Sequence, residues 1–363
     1  MPAMNLTLRA IITQICCCAA LFFMLSCQDT DDPVPTPEVG DFALAFRGLD
    51  GLKVNELKLL EDRLYAMTND GIYHGNVDAG ELQLLGLKGK NIISAVVFSH
   101  REILASFWDV DFSSDRIADL FFTTDGGSTW ITLDHDFGGG VEEPIFHLAW
   151  NPSRPDQLYA TGYQVVAAST DRGITWTPVW GDFDMFANRM RAFINPVLPE
   201  EIWAGGQGGI ENGYLVHLKA GQEAGFWNTL VPNPTTVKKV VFDTQNPQSI
   251  YVGWEGELSR TQNNGQTWQK LIDRHEEAHF FFGIGISEQD PQVVVAGKWA
   301  KVEGPQPFEL MVSTDKGQHW AEVTFGEVSY GGILDLVISS QPGKERIFVG
   351  LDRGGVYEVT WTR

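Results

Sequence analysis

Short apolar runs of four to seven residues, separated by turn-forming residues, recur along this chain from residue 42 to its end. In one period the runs fall at 145–150, 157–161, 165–169 and 176–179, each rich in Val, Leu, Tyr, Trp or Thr and closed by Gly, Pro, Asp or Ser. Runs of that length and composition predict β-strands, because helices need longer segments with a 3.6-residue period. The first strand of each set is expected at 54–60, 92–98, 145–150, 190–194, 239–242, 281–286 and 334–338, which makes seven sets. The last set has three strands only, at 333–338, 346–350 and 355–361, and residues 42–46 supply a fourth from the other end of the chain.

An eight-residue pattern punctuates the sets. Residues 123–130 read Thr-Thr-Asp-Gly-Gly-Ser-Thr-Trp and 169–176 read Ser-Thr-Asp-Arg-Gly-Ile-Thr-Trp. Residues 261–268 repeat it with Asn263 for the acid, and 313–320 with His319 for the second Thr. The closing tryptophans Trp130 and Trp176 are 46 residues apart, Trp268 and Trp320 are 52 apart, and Trp176 and Trp268 are 92 apart. The double gap implies a hidden repeat, in which 213–218 reads as a strand and Trp227 is expected to hold the tryptophan's place. Residues 42–363 number 322, or seven repeats of 46. Repeats of about 40–50 residues holding several short strands indicate propeller blades. The expected fold is an all-β, seven-bladed β-propeller whose last blade is completed by an N-terminal strand.

These motifs resemble the Asp-box, or BNR, repeats of sialidase-like propellers. The turns at 151–160 and 246–253 are similar to those of xyloglucan-hydrolase, sortilin-type and photosystem-assembly propellers. The resemblance implies that each box joins the third and fourth strands of its blade, away from the ligand face. Asp125, Asp171, Asn263 and Asp315 are then structural, accepting backbone N–H bonds in a tight turn, with Trp130, Trp176, Trp268 and Trp320 packed beside them.

The first 40 residues differ in kind. Residues 10–25 form a sixteen-residue apolar run after Arg9, short for a membrane span and suited to a signal-peptide core. The run leads to Met24-Leu25-Ser26-Cys27, which resembles a bacterial lipoprotein cleavage site, although Leu precedes the Cys by two positions rather than three. The expected organisation is a signal peptide over 1–26, an acidic Pro-rich tether over 27–40 and the propeller over 41–363, anchored to a membrane through lipidated Cys27. The resemblance implies a Gram-negative outer-membrane lipoprotein, and the acidic run after Cys27 reads either as a surface-export signal or as a solvated spacer.

All four cysteines, Cys16, Cys17, Cys18 and Cys27, lie in that leader, so the propeller region holds no disulfide and no cysteine nucleophile. Forty-seven acidic against 26 basic residues give a net charge of −21 with no basic run, which excludes nucleic acid as a natural partner. A monomeric propeller without cofactor is expected.

In a propeller the loops from a fourth strand to the next first strand share a face with the loops between second and third strands. Four histidines fall there (His135, His147, His275 and His279), together with the carboxylates Asp109, Asp111, Asp136, Glu142, Glu143, Asp182, Asp184, Glu276 and Glu277. Trp108, Trp254, Trp299 and Tyr330 add aromatic planes, and Arg189, Arg191, Arg274 and Arg353 add cations. Aromatic planes beside hydrogen-bonding groups suit sugars, which present C–H faces and hydroxyls. His275 and His279 flank Glu276 at metal-ligand spacing, but they sit between strands rather than on a helix, and no metal site is assigned.

Sialidase activity would imply an early Arg-Ile-Pro motif and an arginine triad. The only early candidate, Phe46-Arg47-Gly48-Leu49, lacks both Ile and Pro, and Arg63, Arg101, Arg154 and Arg346 fall at turns of the opposite face. An inverting hydrolase needs two carboxylates about 6.5–9.5 Å apart, and nine equivalent candidates single out no pair. The reading is a non-catalytic binding or assembly module for a glycan or protein ligand at the cell envelope. The alternative is a glycoside hydrolase.

Overall fold

Each predicted set of runs folds into one antiparallel sheet, and seven sheets close a ring. The computed structural model describes residues 40–110, 116–135, 144–163, 165–181, 189–207, 213–227, 236–273 and 279–363. Strand β1 (Asp41–Phe46) stands ahead of the first blade. Blade 1 holds β2 (Val54–Leu60), β3 (Arg63–Thr68), β4 (Gly71–Asn76) and β5 (Gln83–Gly86). Blade 2 holds β6 (Ile92–Val97), β7 (Ile103–Val110), β8 (Arg116–Thr123) and β9 (Ile131–Leu133). Blade 3 holds β10 (His147–Trp150), β11 (Leu158–Thr161), β12 (Val165–Ser169) and β13 (Thr177–Gly181). Blade 4 holds β14 (Arg191–Ile194), β15 (Glu201–Gln207), β16 (Gly213–Lys219) and β17 (Gln222–Trp227). Blade 5 holds β18 (Lys239–Phe242), β19 (Ile250–Gly253), β20 (Glu257–Thr261) and β21 (Gln269–Asp273). Blade 6 holds β22 (His279–Ile286), β23 (Val294–Ala300), β24 (Phe308–Ser313) and β25 (Ala321–Phe325). Blade 7 holds β26 (Ile333–Gln341), β27 (Lys344–Leu351) and β28 (Val356–Thr362), and β1 completes it as the outer strand.

The first strands β2, β6, β10, β14, β18, β22 and β26 each pack against the first strands of both neighbouring blades, and so line a central channel. Burial falls from the middle of each blade outward. β11 and β19 are buried at every position, because neighbouring blades cover both their faces, and they read as continuous apolar runs. β5 and β9 lie at the rim and are largely exposed. The core is therefore a set of seams between blades. Tyr65, Met67 and Ile72 of blade 1 meet Ile92, Ala95, Ile103 and Phe121 of blade 2. Each of the Met, Ile and Phe side chains among them contributes roughly 1.5–3 kcal/mol on burial.

Ring closure follows the register Phe42↔Trp361, Leu44↔Val359 and Phe46↔Tyr357, with the Phe42 and Trp361 rings stacked at 5.4 Å. Arg47, just past β1, donates to the Asn76 and Val77 carbonyls and lies 3.4 Å from Glu358. It thus joins the closing blade to blade 1 and serves the ring rather than a ligand.

The four boxes lie between third and fourth strands. In the box of blade 3, Asp171 accepts from the Thr175 N–H at 2.8 Å and the Thr175 hydroxyl at 2.5 Å, and the Trp176 indole donates to the Gly173 carbonyl at 3.1 Å. Arg172 and Gly173 take consecutive positive φ values of 65° and 87°, and a Cβ on Gly173 would come within 2.8 Å of Leu104. Only glycine meets both demands there. Asp315 makes the equivalent bonds to residue 319, and Asn263 accepts from the Thr267 N–H while its amide donates to the Thr267 hydroxyl.

Trp227 departs from expectation. It ends the fourth strand of its blade instead of preceding it, and its ring stacks on Trp203 at 5.3 Å and meets Trp268 edge-on at 6.1 Å. It fills the seam between blades 4 and 5, not the seam to blade 3 where a box tryptophan of blade 4 would sit. In place of the box, blade 4 turns through Ala220 and Gly221, both at positive φ, which is the conformation of a two-residue hairpin.

Candidate functional site

The channel opens on the face opposite the boxes into a cavity of about 280 Å³. It is built from the starts of first strands and the ends of second strands. Lys53 precedes β2, Phe146 precedes β10, Arg191 opens β14, Lys238 precedes β18, and Trp299 lies near the end of β23. Arg189, Phe282 and Asp352 complete the working part of the lining.

Four cations thus share one mouth. Lys53 stands 3.9 Å from Asp352, whose other oxygen accepts from the Trp299 indole N–H at 3.3 Å. Lys238 pairs with Glu255 at 2.9 Å and lies 5.0 Å over the Phe282 ring. Arg189 lies 4.2 Å over the Trp108 ring and 5.6 Å over Phe146. The Arg191 guanidinium reaches the Lys238 carbonyl at 3.4 Å. Among the described residues neither arginine meets a carboxylate. Burial, with repulsion from Arg191 and Lys301, draws the Lys238 ammonium below its usual pKa against the pull of Glu255.

The channel's other end holds a cavity of about 340 Å³, bounded by Lys58, His147, Trp150, Phe242 and Lys239 among others. Its charges are already matched inside the fold. Glu56 accepts from Lys58 at 2.8 Å and from Ser94 and the Ala95 N–H, with His147 at 3.2 Å, and Lys239 donates to Asp335 at 2.7 Å. The mouth, where cations outnumber acids among the described lining residues, is the better candidate despite its smaller volume.

Of the aromatics expected on the ligand face, Trp299 lines the mouth, half-buried and edge-on to Phe282 at 5.7 Å. Tyr330 is exposed, with Arg353 5.8 Å from its ring, beside Asp352 at the rim of the mouth. Trp254 is 0% exposed within the core between blades 4 and 5, so it offers a ligand no surface. Trp108 is 8% exposed and lies under Arg189. It supports the arginine rather than presenting a free plane. His135 is 2% exposed, and His147 is buried against Glu56 inside the channel, so neither stands on the face. His279 is half-buried at the start of β22, where its carbonyl accepts from the Gly256 N–H. Asp109 is exposed near the end of β7. Asp111, Asp136, Glu142, Glu143, Asp182, Asp184, Arg274, His275, Glu276 and Glu277 lie outside the described residues, as does Cys27.

Lys53, Phe146, Lys238, Phe282 and Asp352 were not among the residues expected from sequence. A usable signal existed: the position at or just before a first strand faces the channel mouth, and it is basic in blades 1, 4 and 5.

The chain folds as a seven-bladed β-propeller with a cation-rich cavity at one mouth of its channel. No protein-family profile matches the chain. It is 26% identical to a probable oligoxyloglucan-reducing end-specific xyloglucanase of Neosartorya fischeri, over 59% of this chain and 29% of that protein. It is 24% identical to the oligoxyloglucan-reducing end-specific xyloglucanase of Emericella nidulans, over 67% of this chain and 30% of that one. The chain thus spans under a third of the length of these curated relatives. Among solved structures, the GH74 xyloglucanase of Xanthomonas campestris superposes with a TM-score of 0.63 at 14% identity, over 87% of this chain and 53% of that one. YCF48 bound to D1 peptide superposes at 0.58 and 13% identity, over 91% of this chain and 99% of that one. The structural likenesses agree with the all-β propeller fold.

Proposed function

We propose that this chain is a non-catalytic recognition propeller that takes a glycan at the channel mouth, held at the cell envelope by lipid on Cys27. The observation that carries the reading is the composition of the mouth. Phe146, Phe282 and Trp299 stand beside Lys53, Arg189 and Arg191, while Asp352, the one carboxylate among the described lining residues, is engaged by Trp299 and Lys53. Stacking planes next to donors provide sugar recognition without an acid–base pair. A glycosidase acid needs a raised pKa. Every described carboxylate with a displaced pKa is displaced downward: Glu56, Asp70, Asp125, Asp171, Asp290 and Asp315.

The second reading is a glycoside hydrolase. It is favoured by the two xyloglucanases among the curated relatives and by the carboxylates of 136–143, 182–184 and 276–277, which fall between strands that open on this face. The deciding experiment is a glycan-array and polysaccharide screen of the purified protein, xyloglucan oligosaccharides included, with binding and released reducing sugar read in the same wells. Binding without release is the expected result. Release would replace this reading with the hydrolase, and silence toward every sugar would leave a protein ligand as the better account.

A further inference from the structure

We infer that the mouth selects an acidic glycan, with the carboxylate of a uronic-acid-type residue received by Arg189, Arg191 and Lys53 while its ring lies against Trp299 and Phe282. The inference rests on the recognition reading above and narrows it to one class of sugar.

The charge distribution supports it first. The chain carries a net charge of −21, yet four cations converge on one concave opening with Asp352 as the only carboxylate in the described lining. A concave wall of one sign focuses its field on whatever enters. An acidic molecule gains nothing in stability from gathering like charges in one place. Lys53 and Lys238 both sit below their usual pKa, through desolvation first and then through repulsion that reaches Lys53 from Arg189 and Arg191. An anion placed among them would relieve that repulsion.

The arginines support it next. Arg189 is held by the faces of Trp108 and Phe146, which leaves its N–H edges without a carboxylate among the described residues. Arg191 spends one guanidinium nitrogen on the Lys238 carbonyl, at a long 3.4 Å. Planar forks held in place, with donors that no described carboxylate takes up, match the two oxygens of a carboxylate. The aromatic rings then decide what carries that carboxylate. Trp299 and Phe282 meet edge-on beside the cations, a corner that accepts the C–H face of a pyranose ring.

The test is titration calorimetry of the whole protein with oligogalacturonate and oligoglucuronate, with the same oligosaccharides after reduction of their carboxyls to alcohols, with neutral xyloglucan oligosaccharides, and with an acidic peptide. The acidic sugars are expected to bind roughly 10-fold or more tightly than their reduced forms, as charge-assisted hydrogen bonds give, and to weaken as salt is raised. Arg191→Gln and, independently, the more exposed Lys53→Met should each remove most of that preference while keeping the melting temperature. Equal affinity for acidic and reduced sugars would overturn the inference and leave glycan recognition standing. So would a preference that survives both substitutions. Binding of the peptide with no response to any sugar would overturn both.

Discussion

Lys239 on the first strand of blade 5 donates at 2.7 Å to Asp335 on the first strand of blade 7, two blades away across the channel. The second oxygen of Asp335 accepts from the Leu57 N–H of blade 1 at 2.9 Å, so one side chain that is 1% exposed ties three blades. Removing the ammonium leaves a buried, uncompensated charge, a change that typically costs about 3–5 kcal/mol. Lys239→Met should therefore lower unfolding stability by about that amount in denaturant titrations. Adding Asp335→Asn should recover part of the loss, because the stranded charge goes with it. A double variant as unstable as the sum of the single ones would show that the two residues act separately.

The boxes should behave as framework. Asp171 accepts three bonds within its own turn, from Ser169 and from both donors of Thr175. Its pKa is lowered because those bonds outweigh the desolvation that opposes them. Asp171→Ala leaves the Thr175 N–H and two hydroxyls to find water, and should cost roughly 1–3 kcal/mol. Asp171→Asn should cost less, since Asn263 already makes the backbone bond in blade 5 and turns its amide toward Thr267. Ligand affinity at the channel mouth should not change in either variant. Calorimetric melting and sugar binding measured on the same preparations check both halves of the statement.

The ring was readable because its information is local. Alternation, turn residues and tryptophan spacing located all seven first strands with bounds within three residues, and the partnership of 42–46 with 355–361 followed from counting. The site was harder to read because it is assembled from one residue per blade. Lys53, Arg191 and Lys238 are unremarkable in their own segments and meet only when the ring closes. Trp254 sits at the same end of its second strand as Trp108 and Trp299, yet the packing of Trp203 and Val237 places it wholly inside. Trp227 misled for the opposite reason. Gly225 lacks the Cβ that would come within 2.6 Å of the Trp227 ring, so the ring folds back over the strand and reaches a seam that sequence position does not indicate.

Stability should fall on acidification in two stages, and the channel residues His147 and Glu56 contribute to both. His147 is buried, and burial lowers its pKa even though Glu56 pulls the other way. The unfolded chain therefore takes up a proton near the ordinary histidine value of about 6.5 while the folded chain does not, so stability is lost as the pH drops below that value. For Glu56, burial opposes the charge, but Lys58 and His147 outweigh it and hold the carboxyl well below the usual range. Its contribution is complete above about pH 4.3 and is lost as the pH falls toward the folded value. Both displacements act in the same direction, so the protein should be most stable above about pH 6.5 and decline more steeply below about 4.3. His147→Gln should flatten the first stage only in part, because burial lowers the pKa of His74 and His217 as well. Denaturant unfolding at half-unit steps between pH 7.5 and 3.5, on both proteins, checks the shape. A wild-type profile flat from 7 to 5, or a variant whose slope there matches it, would remove the histidine from the account.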